Sequence, residues 1–162
     1  MQQQLLFSPQ TNQTRWHMVS DQVMGGVSQG QMQLTEQGVN LQGQVSLENN
    51  GGFLQIQWPI DDMLDQLDMQ NAQGFFIEWC AHQNETLELL IKSSQLWMPW
   101  QSYRSAVEVT TEWQTVYVPF AAFAPYRTQT RLRPQAMTKF SVLAGGHARQ
   151  VNFTIRQFGL YY

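Results

Sequence analysis

The sequence predicts an all-β protein, a sandwich of two sheets with a jelly-roll arrangement. Three observations carry that expectation. Apolar and polar residues alternate in short runs, as in Val39 to Leu47 and Phe53 to Trp58, which is the period of a half-buried strand. Gly, Pro, Asn and Ser separate these runs at short intervals. No amphipathic helix of useful length lies between them, so no βαβ pattern forms.

Taken in order, residues 1–14 read as a loose arm or a first edge strand. Trp16 to Val19 leads into a corner at Asp21, and Gln31 to Leu34 is a short strand. Val39 to Leu47 and Phe53 to Trp58, joined by Asn49-Asn50-Gly51-Gly52, read as a hairpin. Pro59 ends the second of these strands. Asp61 to Asn71 carries Met63, Leu64 and Leu67 near helical spacing, and is expected to be a short connector. Gly74 to Cys80 places Phe75, Ile77 and Trp79 on one face and Phe76, Glu78 and Cys80 on the other. Thr86 to Lys92 turns Leu87, Leu89 and Ile91 inward. Ser102 to Val109, Thr115 to Val118, Lys139 to Leu143 and Val151 to Phe158 complete about nine or ten strands.

A length of 162 residues implies one domain, residues 1–162, with room for a full core. Charged residues make up 13%, about half the usual share, and glutamine fills much of that place as a neutral surface. The net charge is −3 and no Lys/Arg run occurs, which argues against nucleic acid and anionic membrane as partners. Cys80 is the only cysteine and sits in an apolar run, as an inert buried thiol would. The N-terminus lacks the features of a secretory or transit segment, and no apolar stretch is long enough to span a bilayer. A cytoplasmic protein, not inserted in a membrane, is expected.

Two stretches stand out, Asp21 to Ser28 and Glu48 to Phe53. Each sets a Gly-Gly pair beside polar residues and an apolar anchor. Glycine pairs mark sharp turns, bulges or close backbone approach, and Asp21, Asn49 and Asn50 are suited to cap such bends. The stretches are either structural corners or a shared polar patch that binds a ligand. A calcium site from Asp21, Glu48 and Asn49 would be short of the six or more oxygens that calcium takes.

Catalysis needs a nucleophile beside a base, paired carboxylates or a metal. His17, His82 and His147 are scattered, no Gly-x-Ser-x-Gly elbow occurs, and Asp61, Asp62, Asp65 and Asp68 read as a solvated connector. No catalytic residue, metal site or cofactor is expected. The segment Leu96 to Arg104 differs from the strands. Pro99 breaks the alternation and puts Trp97 and Trp100 on a loop, with Gln101, Tyr103 and Arg104 beside them. Trp97, Trp100, Tyr103 and Arg104 are the candidate contacts for a protein partner or, alternatively, for a sugar stacked on the rings. The competing structural reading folds both rings back as a cap on the sandwich.

Several of these residues also form a pattern. Trp16-x-x-Val19-x-Asp21-x-Val23-Met24-Gly25-Gly26-Val27-Ser28-x-Gly30 resembles the opening signature of the complex I intermediate-associated protein 30 family. The likeness continues through Gly43 to Leu47 and Glu48-Asn49-Asn50-Gly51-Gly52-Phe53. It returns at Ser102-Tyr103-Arg104 and at Glu112-Trp113-x-x-Val116-x-Val118-Pro119-Phe120-x-x-Phe123-x-Pro125. The chain departs at Ala81 to Thr86, where the family pattern has Gly-Asp-Gly-x-x-Tyr. The resemblance implies a galactose-binding-like jelly roll. It also implies a non-catalytic protein-interaction module in respiratory complex I assembly, with a respiratory-complex subunit as partner. A carbohydrate-binding module is the alternative that the fold implies.

Overall fold

A computed structural model describes residues 2–11 and 14–162. Part of the N-terminal arm expected over residues 1–14, namely residues 1, 12 and 13, lies outside the described residues. Among the described residues, twelve strands form two antiparallel sheets, numbered in chain order: β1 (Gln3–Phe7), β2 (His17–Ser20), β3 (Gln29–Thr35), β4 (Gly38–Val45), β5 (Phe53–Pro59), β6 (Gly74–Ala81), β7 (Glu85–Ser93), β8 (Ser102–Val109), β9 (Gln114–Pro119), β10 (Ala124–Tyr126), β11 (Met137–Gly145) and β12 (Arg149–Tyr161). The first sheet runs β3-β4-β12-β6-β9, with β1 also paired to β12. The second runs β10-β8-β7-β11-β5-β2. The result is the all-β sandwich that the alternation implied.

The two inner faces supply one core, as alternating strands with one wet face do. Val39, Leu41, Phe75, Ile77, Trp79 and Phe153 enter from the first sheet. Leu54, Ile56, Trp58, Leu87, Leu89 and Val142 enter from the second. Phe158 of β12 sits at the aromatic centre. Its ring stacks on Phe140 at 4.7 Å and on Phe75 at 5.3 Å, and meets Trp16 at 5.3 Å and Trp58 at 5.7 Å. Asp61–Gln66 is a six-residue 3-10 helix with no fully buried residue, so the expected connector is indeed not a core helix.

The hairpin expected between Val39 and Trp58 does not form. β4 pairs with β3 and β12, whereas β5 pairs with β11 and β2 in the opposite sheet. The Asn-Asn-Gly-Gly stretch is a crossover. Leu41 and Val45 face the same core as Leu54 and Ile56, but from opposite sides. Period-2 alternation reports only which face is buried, so it cannot distinguish a hairpin from a step between layers. Cys80 also differs from expectation. It points to the outer face opposite Thr154 and is only part-buried, and burial pushes its thiol pKa up, away from the reactive thiolate.

Phe158→Ala should cost about 3–5 kcal/mol in chemical denaturation, because it empties the place where five aromatic rings converge. A loss under about 1 kcal/mol would show that the core is not organised around this ring.

Candidate functional site

The two glycine corners meet at one carboxylate. Asp21 ends β2 as the first residue of a 3-10 turn (Asp21–Met24) and is fully buried, at 0% exposure. Its Oδ1 accepts from the Ser28 backbone N–H at 3.0 Å. Its Oδ2 accepts from the Ser28 hydroxyl, from the Gly52 N–H and from the Phe53 N–H at 3.2 Å. The Ser28 hydroxyl also accepts from the Ser46 N–H at 2.9 Å, just past β4. One side chain thereby ties the β2–β3 crossover to the β4–β5 crossover. Burial alone pushes the Asp21 carboxyl up. The Ser28 hydroxyl and the backbone N–H groups of Gly52, Ser28 and Phe53 outweigh it and hold the group below its ordinary value of 3.8.

The four glycines serve this contact in two ways. Gly25 and Gly52 occupy positive φ, at 85° and 144°. Gly26 and Gly51 do not; their requirement is space. A Cβ on Gly26 would lie 2.4 Å from the Asp21 Cγ, and one on Gly51 would lie 2.5 Å from the Asp21 Oδ2. Asn49 and Asn50 take left-handed φ of 56° and 58° rather than capping through their side chains. Met24 is 65% exposed, so it is no apolar anchor, and Glu48 points to solvent. With donors converging on the carboxylate from both corners, this is a structural lock. Of the two readings of these stretches, the geometry fits the structural corners: the buried Asp21 carboxylate already accepts from four donors and presents no open face to a ligand.

The aromatic loop between β7 and β8 is exposed, not folded back. Trp97 is 92% exposed and Trp100 55%, with Met98 between them also exposed. Internal bonds hold the loop. The Gln101 side-chain carbonyl accepts from the Trp97 and Met98 N–H groups at 3.2 and 3.1 Å, and Lys92 Nζ donates to the carbonyls of Pro99 and Gln101. The structure withdraws two of the four candidate contacts. Tyr103 is fully buried at 0% exposure, its ring in the core opposite Ile91, because the strand has already begun and its phase turns the ring inward. Arg104 is committed internally, with its guanidinium 3.8 Å over Tyr126 and donating to Glu88 at 3.0 Å.

Sequence reasoning missed two features. First, the loop has a cationic flank. Gln101 donates to the Arg127 carbonyl, and Gln95 both donates to the Arg131 carbonyl and accepts from the Arg133 N–H. Arg127, Arg131 and Arg133 are exposed and take part in no ion pair among the described residues. From Trp113 to the C-terminus the sequence contains no Asp or Glu, a signal that the small net charge concealed. Second, the outer face of the first sheet holds an open groove of about 640 Å³. Gln29, Gln31, Gln42, Gln44, Gln150 and Asn152 line it, with His82 and Gln83 on one wall. The alternate-residue spacing of these amides is legible on each strand; their adjacency needs the strand order. Among the described residues, no cluster of three His, Cys, Asp or Glu could hold a metal, and no helix is long and apolar enough to cross a membrane.

The sequence matches the family model described as Complex I intermediate-associated protein 30 (CIA30) over residues 5–158. The chain belongs to the CIA30 family. No curated protein matches it in sequence. Among solved structures, it is similar to a family 11 carbohydrate-binding module from Clostridium thermocellum in complex with a β-1,3-1,4-mixed-linked tetrasaccharide. That likeness has a TM-score of 0.76 at 12% identity and covers 98% of this chain and 94% of the other. The family 11 module of the cellulosomal cellulase Lic26A-Cel5E from the same organism gives 0.75 at 11%, with the same coverage. An agarase gives 0.60 at 9%, covering 99% of this chain and 25% of the enzyme. At these identities the likeness shows the jelly-roll fold alone.

Gly26→Ala and Gly51→Ala should each lower stability by roughly 1–3 kcal/mol, since either methyl must displace the Asp21 carboxylate. The pH dependence follows from the depressed Asp21 pKa. Its contribution is complete above the unfolded value near 3.8 and is lost as pH falls through the lower folded value. Urea denaturation from pH 7 to pH 2 should therefore show a destabilisation on acidification that is smaller in Asp21→Asn. Equal acid sensitivity in both proteins would refute the lock.

Proposed function

We propose that this domain is a non-catalytic interaction module that binds a protein component of respiratory complex I or of an assembly intermediate. The contact surface in this reading is the loop carrying Trp97, Met98 and Trp100. The observation that supports it is a pair of exposed tryptophans on a hydrogen-bonded loop, in a chain of the CIA30 family. Large exposed rings are rare on a surface without a use, and Trp and Arg most often dominate interface energy. The bonds from Gln101 and Lys92 organise the loop before any partner arrives, which lowers the entropy cost of docking. Arg127, Arg131 and Arg133 beside it suit a partner patch that carries carboxylates.

The alternative, carbohydrate binding through this loop, draws on the fold likeness to carbohydrate-binding modules. The loop gives it less support. Neither ring lines the two depressions of the first sheet, Gln101 is occupied in holding the loop, and Arg104 is paired with Glu88.

The test is co-purification of the tagged domain with detergent-solubilised complex I and its subassemblies. Trp97→Ala and Trp100→Ala, once shown to melt as wild type, should each weaken the contact by about 2 kcal/mol or more. Replacing Arg127, Arg131 and Arg133 by Gln should slow association and flatten its dependence on salt. Undiminished co-purification of both tryptophan variants would remove the loop from the interface. Absence of any complex I component would reject the interaction reading.

A further inference from the structure

We propose that the outer face of the first sheet is a binding site for a neutral polyhydroxylated chain, an oligosaccharide, lying across β3, β4 and β12. The site is separate from the tryptophan loop and independent of the protein-docking reading. Register places the amides in rows: Gln29 opposite Gln44 and Gln44 opposite Gln150, then Gln31 opposite Gln42 and Gln42 opposite Asn152. Neighbouring strands are about 4.8 Å apart, so each row offers a polar group at close, regular intervals across the sheet. A second depression of about 210 Å³ adjoins the groove, sharing His82 and Asn152 and extending to Thr154 and Cys80. The two make one track across the strands.

The lining selects the ligand. An amide side chain offers both donors and an acceptor, as a sugar hydroxyl does, so each can satisfy the other without net charge. The side chains of Gln31 and Gln150 make no hydrogen bond within the described residues and are free to pair with a ligand. Others are held in place: Gln42 donates to Asn40, and Asn40 donates to Asn152 and Thr154. The one carboxylate in the lining, Glu85, is bound to Arg149 at 3.1 Å. An anionic or cationic ligand therefore finds no free counter-charge from a carboxylate or guanidinium here, and an apolar ligand would bury unpaired amides. An aromatic surface stands beyond the second depression. Arg156, next on the outer face of β12 after Thr154, lies 4.1 Å over the Trp113 ring, which remains partly exposed. Indole faces accept the apolar side of a sugar ring.

The experiment is a titration of the whole ¹⁵N-labelled domain with neutral hexasaccharides of glucose and of galactose in several linkages. Oligogalacturonate and a glutamine decapeptide serve as controls. Binding of a neutral sugar at millimolar Kd or tighter should shift the side-chain amides of Gln31, Gln42 and Gln150 and the Trp113 indole. The double variant Gln31→Ala/Gln150→Ala alters two exposed side chains with no internal bonds, so it should fold as wild type and bind about tenfold more weakly. Trp113→Ala should bind more weakly as well, with melting checked because it removes the ring under Arg156, which stays paired with Glu78. The proposal is overturned if no neutral sugar binds at ten millimolar. It is overturned equally if the double variant binds as well as wild type, if only the Trp97 and Trp100 indoles shift, or if only oligogalacturonate or the peptide binds. Each outcome is independent of whether complex I components co-purify.

Discussion

The buried carboxylate of Asp21 is the contact on which the remaining architecture depends. A two-sheet sandwich needs the chain to step between layers, and every step leaves backbone N–H groups without a ladder partner. Here two steps occur at one place, β2 to β3 and β4 to β5, and one side chain accepts from both. A carboxylate suits the position because it accepts several hydrogen bonds at once, and charge makes each stronger. The burial cost is offset by donors fixed in the backbone, as the lowered pKa records. The glycines follow from the carboxylate: two let the chain turn through positive φ, and two leave room for the Asp21 side chain.

Fixing both steps at one point also sets which face of each strand is outward. Val39, Leu41 and Val45 go to the core, so Asn40, Gln42 and Gln44 must go to the surface. The same phase on β3 and β12 collects the other amides beside them. At the far end of the second sheet, the loop after β7 is released from alternation by Pro99. Its rings stay out because Lys92 and Gln101 satisfy the loop backbone without them. The protein thus carries an apolar, cationic knob and a neutral polar track on different sheets, neither blocking the other.

The fold was largely legible in the sequence, because alternation and breaker residues report burial of one face directly. Phe75, Ile77 and Trp79 point inward as their spacing requires, and Asp61–Gln66 is only a short 3-10 helix. What alternation does not report is which layer a strand joins, and the expected β4–β5 hairpin failed for that reason. The glycine corners were legible as corners, but the role of Asp21 as the shared acceptor required their meeting in space. Trp97 and Trp100 were legible as loop residues through Pro99. Tyr103 was misjudged although its strand, Ser102 to Val109, was expected: the strand was read without its phase, and one residue of phase decides between surface and core.

Charge illustrates the same limit at the level of function. A net charge of −3 argues against anionic partners only if charge is spread evenly. It is not spread evenly: Arg127, Arg131 and Arg133 are hydrogen-bonded through their backbones to the loop that carries the tryptophans. A partner approaching within a Debye length, about 8 Å at physiological salt, meets this local field and not the sum. The amide face shows the converse. Replacing charges by glutamines leaves long-range steering absent and short-range hydrogen bonding intact, a combination that selects a ligand by the placement of its hydroxyls. Composition alone reads these glutamines as filler, whereas strand order turns the same residues into rows.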